Sequence, residues 1–228
     1  MLFSDKIGKI LKNLLPAPFT IAVILTFLTI LIAFFISTDS YNSKNFFEIL
    51  SFWEKGLWDN SLMVFALQMM LMLVLGHSLA LSEPVSNIIS NITIYCNNTA
   101  NAAAIVTFTT LLVAFFNWGL GLIFGAIFAR KVGEHATKNN IPLNYPLVGA
   151  AGYSGLMIWH GGISGSAPIK IAEKNHFLAE KIGTISQAET IFSAMNMTIS
   201  ISLLLLLPLF MFFLAKKSKS KLVNIIEI

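Results

Sequence analysis

Residues 160–168 read HGGISGSAP, and they lie near the end of an apolar block that covers residues 145–169. Glycines and a proline in such close succession disfavour a continuous helix, because glycine is costly to order and proline removes a backbone hydrogen bond. Small residues that only let helices pack closely would share one helical face, whereas these residues are contiguous. The stretch therefore predicts an unwound segment between two half-helices.

A second interruption lies in the middle of a longer apolar block, residues 102–129, where residues 117–121 read NWGLG. An asparagine and two glycines at this point predict a tip between two helical halves, so we expect the block to fold as a hairpin. Gly121 and Gly125 have the four-residue spacing that is typical of close helix packing, and we interpret them in that way.

The composition predicts a membrane protein. The chain is 56% hydrophobic and 11% charged, whereas soluble domains have roughly 25% charged residues. Three further apolar blocks, residues 17–36, 61–82 and 191–214, each have about the 20 residues that a helix needs to cross a bilayer. We therefore predict an all-α integral membrane protein, with about four transmembrane helices, a re-entrant hairpin and one broken helix in a single membrane domain over residues 1–228.

Lysines flank the first and the last apolar block, and such flanks stay in the cytoplasm. These lysines are Lys6, Lys9, Lys12, Lys216, Lys217, Lys219 and Lys221. Both termini are therefore predicted to be cytoplasmic, which requires an even number of crossings. Five blocks meet this condition if residues 102–129 enter and leave on the cytoplasmic side. The alternative is an unbroken, tilted crossing, which would leave the basic loop that begins at Arg130 outside.

The segments outside the blocks have their own predicted structures. Residues 1–15 are predicted to form an amphipathic helix in the membrane interface, and residues 215–228 a cytoplasmic tail. Residues 83–99 are predicted to contain an amphipathic surface helix. The connection between the first two blocks is net negative, and we expect it to be a polar loop outside the cell.

The two interruptions are also the predicted site, because non-helical backbone at membrane depth is tolerated only where it is buried in protein or lines a cavity. Freed carbonyls and serine hydroxyls are hard oxygen ligands that suit sodium, while half-helix N-termini attract anions. Ser164 and Ser166 are the predicted sodium ligands. The predicted substrate-binding residues are Asn117, Trp118, Gly119, His160, Gly161, Gly162, Ser164, Gly165 and Ser166.

The five blocks contain no Asp, Glu, Lys or Arg, which argues against a carboxylate proton relay and favours sodium coupling. His160 remains the alternative carrier of a coupling proton. One cysteine, Cys96, leaves no disulfide or CxxC pair, and we find no hydrolytic or metal-binding motif. We therefore expect no enzyme activity and no cofactor other than a sodium ion. The net charge of +4 arises from the lysine flanks, so we predict no nucleic-acid partner.

Several motifs together resemble the bacterial short-chain fatty acid transporter family, of the acetoacetate and butyrate uptake kind. The resemblance covers nearly the whole chain. Its motifs are Trp53-x-x-Gly56-x-Trp58, Gln68-Met69, Gly76-His77-x-Leu79-Ala80, Pro84-Val85, Asn117-Trp118-Gly119-x-Gly121-Leu122-x-x-Gly125-Ala126-x-Phe128-Ala129-Arg130 and Tyr153-x-Gly155-x-x-x-Trp159-x-Gly161-Gly162-x-Ser164-Gly165-Ser166-x-Pro168.

This resemblance implies a carrier of small monocarboxylates in the bacterial cytoplasmic membrane, a symporter with an inverted-repeat fold similar to that of ion transporters. Family members are about twice as long, so the chain resembles the N-terminal half of one. A second-half polypeptide or another subunit is the implied partner. The alternative is a non-transporting membrane subunit or a truncated remnant of such a carrier. The lysine flanks disfavour an antiparallel homodimer, because most chains should insert in one orientation.

Overall fold

The computed structural model describes residues 16–36, 43–174, 176 and 178–225, with the side chains of residues 43–45 excepted. The predicted interfacial helix over residues 1–15 lies outside the described residues. The chain divides into two compact units, residues 1–67 and residues 68–228.

The regular secondary structure of the described residues is helical, which confirms the predicted all-α class. Within them the only pairing of extended backbone is an isolated bridge between Leu143 and Lys221. Two short 3₁₀ turns occupy Ser154–Met157 and Trp159–Gly161. The α-helices are α1 (Pro18–Ile36), α2 (Ser43–Leu57), α3 (Asn60–Ala80), α4 (Glu83–Thr93), α5 (Thr99–Phe116), α6 (Trp118–Lys138), α7 (Tyr145–Gly152), α8 (Ser166–Ile171), α9 (Ala179–Ile182) and α10 (Ala194–Lys216).

Four of the described helices, α1, α3, α5 and α10, are long and apolar enough to cross a membrane. The chain is thus an integral membrane protein, as predicted. Three of these helices correspond to predicted transmembrane blocks. Helix α5 does not, because it is the first half of the block that we predicted to be re-entrant. The block at 145–169 contains no helix of that length, since it is divided between α7, two 3₁₀ turns and α8.

In the first unit, α2 replaces the polar loop that the sequence predicted. This helix is amphipathic, and its aromatic residues Phe46 and Trp53 lie seven residues apart, which places them on one helical face. The rings of Phe34 in α1 and Phe46 in α2 meet edge to face with centroids 6.5 Å apart. The prediction of a polar loop was wrong because it relied on the charged residues of this segment and not on the helical spacing of its apolar residues.

In the second unit, α5 and α6 pack against each other as an antiparallel hairpin around the break at Asn117. A Cβ atom on Gly121 would lie 2.6 Å from the Cβ of Ala114, and one on Gly125 would lie 2.9 Å from the methyl carbon of Thr110. Gly125 also crosses Gly152 of α7 so closely that neither glycine leaves space for a side chain. These contacts agree with the interpretation of Gly121 and Gly125 as packing residues.

Helix α6 continues to Lys138, although we predicted a loop from Arg130 onward. Two ion pairs within one turn support this extension, since Glu134 binds Arg130 at 2.9 Å and Lys131 at 3.1 Å. The helix ends only at Asn139, which is followed by Asn140 with a positive φ of 53°.

The segment after α10 crosses the open end of the α5–α6 hairpin. The hydroxyls of Thr99 and Ser220 are 2.8 Å apart, and Leu143 and Lys221 exchange two backbone hydrogen bonds of 2.8 and 3.1 Å. The Thr137 hydroxyl donates to the Val223 carbonyl at 3.1 Å. The start of α5, the end of α6 and the end of α10 therefore lie at the same end of this unit, which we call the basic end because of its lysines.

Candidate functional site: the junction of two broken segments

The first break is a single extended residue, Asn117, between α5 and α6 (φ −147°, ψ 116°). Its backbone N–H completes α5 by donating to the Val113 carbonyl at 2.9 Å. Its side-chain oxygen caps α6 by accepting the N–H of Leu120, also at 2.9 Å. Asparagine is among the residues that cap helix N-termini best, which explains why the chain turns at this residue.

The second break covers the end of the block at 145–169. After α7 the chain forms the two 3₁₀ turns, leaves helical structure at residues 162–165 and resumes it at Ser166. The predicted unwound stretch is thus present. Helix α8 begins at Ser166, whereas the predicted unwound stretch continued to Pro168. The helix can include Pro168 because this residue lies in the first turn, where proline is tolerated.

The two breaks meet. The hydroxyl oxygen of Ser164 accepts the backbone N–H of Trp118, the first residue of α6, at 2.8 Å. One residue earlier, the N–H of Ile163 donates to the carbonyl of Phe115 in the last turn of α5, also at 2.8 Å. The unwound segment therefore satisfies orphan groups at both helix ends of the hairpin tip, and each bond contributes about 1 kcal/mol.

Gly162 lets the two backbones approach this closely. A Cβ atom at this position would lie 2.5 Å from the Phe115 carbonyl oxygen and 3.1 Å from the Phe115 Cα. Because both neighbours are backbone atoms, no side-chain movement could relieve the clash. Glycine is thus required here for contact between the breaks, not for an unusual backbone conformation.

A residue of α10 fixes the opposite side of the unwound segment. The side-chain amide nitrogen of Asn196 donates to the Gly161 carbonyl at 2.9 Å and to the Ile191 carbonyl at 2.7 Å. In the sequence, Asn196 is a polar residue within the apolar block at 191–214. The structure shows that it connects the start of α10 to the break.

A cavity of about 190 Å³ opens at the junction. Its lining consists of Met69, Trp118, Trp159, His160, Gly165 and Ser166. Such a volume is below the roughly 300–1,000 Å³ of sites for drug-sized ligands, so only a ligand with few heavy atoms would fit.

Aromatic rings form one side of this cavity. The rings of Trp118 and Trp159 meet edge to face at 5.6 Å, and Trp159 stacks edge to face on His160 at 5.7 Å. Trp118 belongs to the hairpin and Trp159 to the broken segment, so each break supplies one indole. The cavity therefore combines an apolar aromatic wall with the polar groups of His160 and Ser166.

The structure separates the nine predicted site residues into two groups. Four of them line the cavity, namely Trp118, His160, Gly165 and Ser166. The other five, Asn117, Gly119, Gly161, Gly162 and Ser164, are absent from the lining, and the contacts described above place most of them in the framework of the junction. Gly119 is buried, and a Cβ atom on it would lie 3.2 Å from the Cγ of Met72.

Two lining residues were missed from the sequence. Trp159 lies directly before the stretch at 160–168, and this position beside a helix break could have indicated that it lines the site. Met69 belongs to α3 and to the motif Gln68-Met69, but its apolar side chain gives no indication that it lines a cavity. Its position could be learned only from the tertiary structure.

The start of α6 is less available to an anion than the sequence suggested. The N–H of Trp118 is bound by Ser164, and the N–H of Leu120 by the Asn117 side chain. The carbonyl of Asn117 accepts the N–H of Gly121 at 2.8 Å. The helix dipole still favours negative charge nearby, but direct hydrogen bonds to a ligand would come mainly from other groups.

The residues also bear on the predicted metal site. Within the described part of the chain, no three His, Cys, Asp or Glu side chains are grouped so that they could hold a metal ion. Ser166 lines the cavity, whereas the Ser164 hydroxyl is buried and is engaged with Trp118. A sodium ion at this junction would therefore be bound by hydroxyl and carbonyl oxygens rather than by carboxylates.

Comparison with known proteins agrees with these features. The family model described as "Short chain fatty acid transporter" matches residues 2–227. A candidate short-chain fatty acid transporter of Escherichia coli K12 is 34% identical over 185 residues, which are 81% of this chain and 40% of that protein. One of Haemophilus influenzae is 33% identical over 192 residues, with the same coverage.

The chain thus spans about 40% of the length of these two relatives. No solved structure gives a significant match to it. Because the family match covers nearly every residue, the chain belongs to the short-chain fatty acid transporter family.

Proposed function

We propose that the chain is one half of a secondary transporter that moves short-chain fatty acids across the bacterial cytoplasmic membrane. The observation that carries this proposal is the junction of two broken segments around a small cavity, joined by the Ser164–Trp118 and Ile163–Phe115 hydrogen bonds. Broken helices that meet inside a membrane unit are the usual binding sites of secondary transporters.

The proposed hairpin is re-entrant because of charge rather than depth. Gly162 lies against Phe115 at the hairpin tip, and the neighbouring Gly161 accepts a hydrogen bond from Asn196. Asn196 lies 20 residues before Lys216, the last residue of α10, and this separation is about 30 Å along a helix. The tip is therefore about the full thickness of a hydrocarbon core away from the basic end, and the proposal that the chain returns to that end rests on its lysines.

The cavity lining suits a short monocarboxylic acid. The indoles of Trp118 and Trp159 offer an apolar surface to an alkyl chain, while His160 and the Ser166 hydroxyl can donate hydrogen bonds to a carboxylate. No lysine or arginine lines the cavity, so binding would be weak enough for release. A small volume and an aromatic wall together favour acids with few carbons.

The proposed coupling ion is sodium. Ser166 at the cavity and the backbone carbonyls of the non-helical residues beside it would supply neutral oxygen ligands. The cavity lining contains no carboxylate that could carry a proton. His160 is the group that would support proton coupling instead, because it lines the same cavity and its side chain is exposed. Replacement of His160 by glutamine distinguishes the two mechanisms, since it should leave sodium-driven accumulation intact.

The proposed partner is a second half of opposite orientation. The lysines of the basic end favour a cytoplasmic location for that end, and the lysines before the first apolar block favour the same location for the N-terminus. Reporter fusions test this orientation, and a substantial fraction of chains with either terminus outside would contradict it.

The function itself is tested by uptake of labelled butyrate into vesicles that contain this chain and the second half. We expect accumulation under an inward sodium gradient and little accumulation when choline replaces sodium. If butyrate still accumulates in choline and its accumulation depends on a proton gradient, the coupling ion is the proton rather than sodium. Absence of uptake under either gradient would contradict the transport proposal and favour a non-transporting subunit.

A further inference from the structure

Two threonine hydroxyls in the interior of α5 lack a hydrogen-bond partner. Thr107 and Thr110 are fully buried, and neither hydroxyl oxygen has a partner among the described residues. Thr93 in α4 and Thr109 in α5 instead donate to the carbonyl four residues earlier, at 2.7 and 2.8 Å. A buried polar group without a partner costs stability, and positions three residues apart are neighbours on a helix. The two hydroxyls therefore indicate a shared ligand.

The C-terminal end of α7 lies against these two threonines. Helix α7 ends at Gly152, and the chain continues into the first 3₁₀ turn. In that turn the Ser154 hydroxyl donates to the Thr107 carbonyl at 3.5 Å, and a Cβ atom on Gly155 would lie 3.3 Å from the methyl carbon of Thr110. The unsatisfied carbonyls at a helix C-terminus carry partial negative charge, which favours a cation nearby.

A carbonyl of α10 loses its usual donor at the same level. Pro208 is buried within α10 and has no backbone N–H, so the Leu204 carbonyl lacks the donor that it would have in an unbroken helix. Thr107 lies eight residues after the start of α5, and Pro208 lies eight residues before the end of α10. These two helices pack together, and they meet at the basic end, where Thr99 bonds Ser220. Both residues therefore lie about 12 Å from that end.

The chemistry of these groups selects the class of ligand. The sequences of α5, α7 and α10 contain no Asp, Glu, His or Arg, and their one lysine is the last residue of α10. An anion here would lack a positive partner, and a divalent cation would lack carboxylates to balance its charge. Neutral hydroxyl and carbonyl oxygens beside the C-terminal end of a half-helix instead suit a sodium ion.

We propose that a sodium ion binds between α5 and the C-terminal end of α7, with the hydroxyl oxygens of Thr107 and Thr110 as ligands. Carbonyls at the end of α7 and the Leu204 carbonyl are the further oxygen ligands. This site is separate from the cavity, because neither threonine lines it and Thr110 precedes Asn117 at the hairpin tip by about 10 Å of helix. A role of this ion in coupling rests on the proposed function, whereas its binding does not.

The test is equilibrium binding of radioactive sodium to the purified chain in detergent, with choline chloride to keep the ionic strength constant. We expect saturable binding by the wild type and the loss of one bound ion per chain in the double variant Thr107→Val with Thr110→Val. Valine has nearly the shape of threonine, so the double variant should keep the fold. Thr109→Val is the matched control, because the Thr109 hydroxyl already bonds within α5. Ser166→Ala should retain this ion.

Sodium binding by the double variant that equals that of the wild type would overturn the proposal and assign the two hydroxyls to buried water. Absence of saturable binding in the wild type, or loss of all bound sodium in Ser166→Ala, would also overturn it. If the double variant does not fold, Thr107→Val and Thr110→Val are measured singly, and unchanged binding in both has the same consequence. Because no transport is measured, failure of butyrate uptake would leave these results intact.

Discussion

Replacement of Ser164 by alanine should destabilise the protein by removing the hydrogen bond that joins the two breaks. The Ser164 hydroxyl oxygen lies 2.8 Å from the Trp118 nitrogen, and the side chain is buried, so water cannot easily take its place. An unsatisfied backbone N–H in such a position costs about 1–3 kcal/mol. For a chain of 228 residues each kcal/mol changes the melting temperature by about 2–4 °C.

We therefore expect Ser164→Ala to lower the melting temperature of the purified protein in detergent by about 2–12 °C, as measured by the fluorescence of its tryptophans. Ser166→Ala is the matched control, because Ser166 lines the cavity and is only half-buried. It should change the melting temperature by less than about 2 °C. Equal losses in the two variants, or an unchanged melting temperature in Ser164→Ala, would refute the structural role of this bond.

Three further predictions concern other parts of the second unit. Gly162→Ala should lower the melting temperature and abolish uptake, because its Cβ would meet the Phe115 carbonyl, whereas Gly149→Ala, with nothing within 4 Å, should do neither. Stability from Glu134 should be present at neutral pH and lost as the pH falls through its lowered pKa, so unfolding of Glu134→Gln should depend less on acid pH than that of the wild type. Trp159→Ala removes one wall of the cavity, and hexanoate should then compete better against labelled butyrate for uptake.

The positions of the breaks could be predicted from the sequence because their signals are local. Glycine, proline and asparagine change backbone preferences at their own positions. The stretch HGGISGSAP and Asn117 can therefore be predicted as helix breaks without knowledge of the fold. The contacts between the breaks could not be predicted in this way. Ser164 and Trp118 are 46 residues apart, and either serine of the stretch could have served as the anchor.

The errors in the helix boundaries have a different cause. In the sequence, the charged residues of α2 and of the end of α6 favour loops, but helices tolerate charge on a solvent-facing or interfacial side. In α6 the charges even stabilise the helix, since Glu134 pairs with Arg130 and Lys131 one turn away. Composition alone therefore finds apolar blocks well and places their ends poorly.

Binding of a short-chain carboxylate at the junction of the two breaks is part of the proposed function. Its most direct test is the rate at which a maleimide labels Ser166→Cys in membranes that contain this chain and its second half. The native cysteine gives little background, because Cys96 is fully buried and burial raises its pKa to about 12. Ala167→Cys is the control, since Ala167 is exposed and does not line the cavity.

We expect butyrate to slow labelling of Ser166→Cys several-fold in the presence of sodium and to leave labelling of Ala167→Cys unchanged. A labelling rate of Ser166→Cys that does not change at saturating butyrate, or equal protection of both cysteines, would contradict the claim that this cavity is the substrate site.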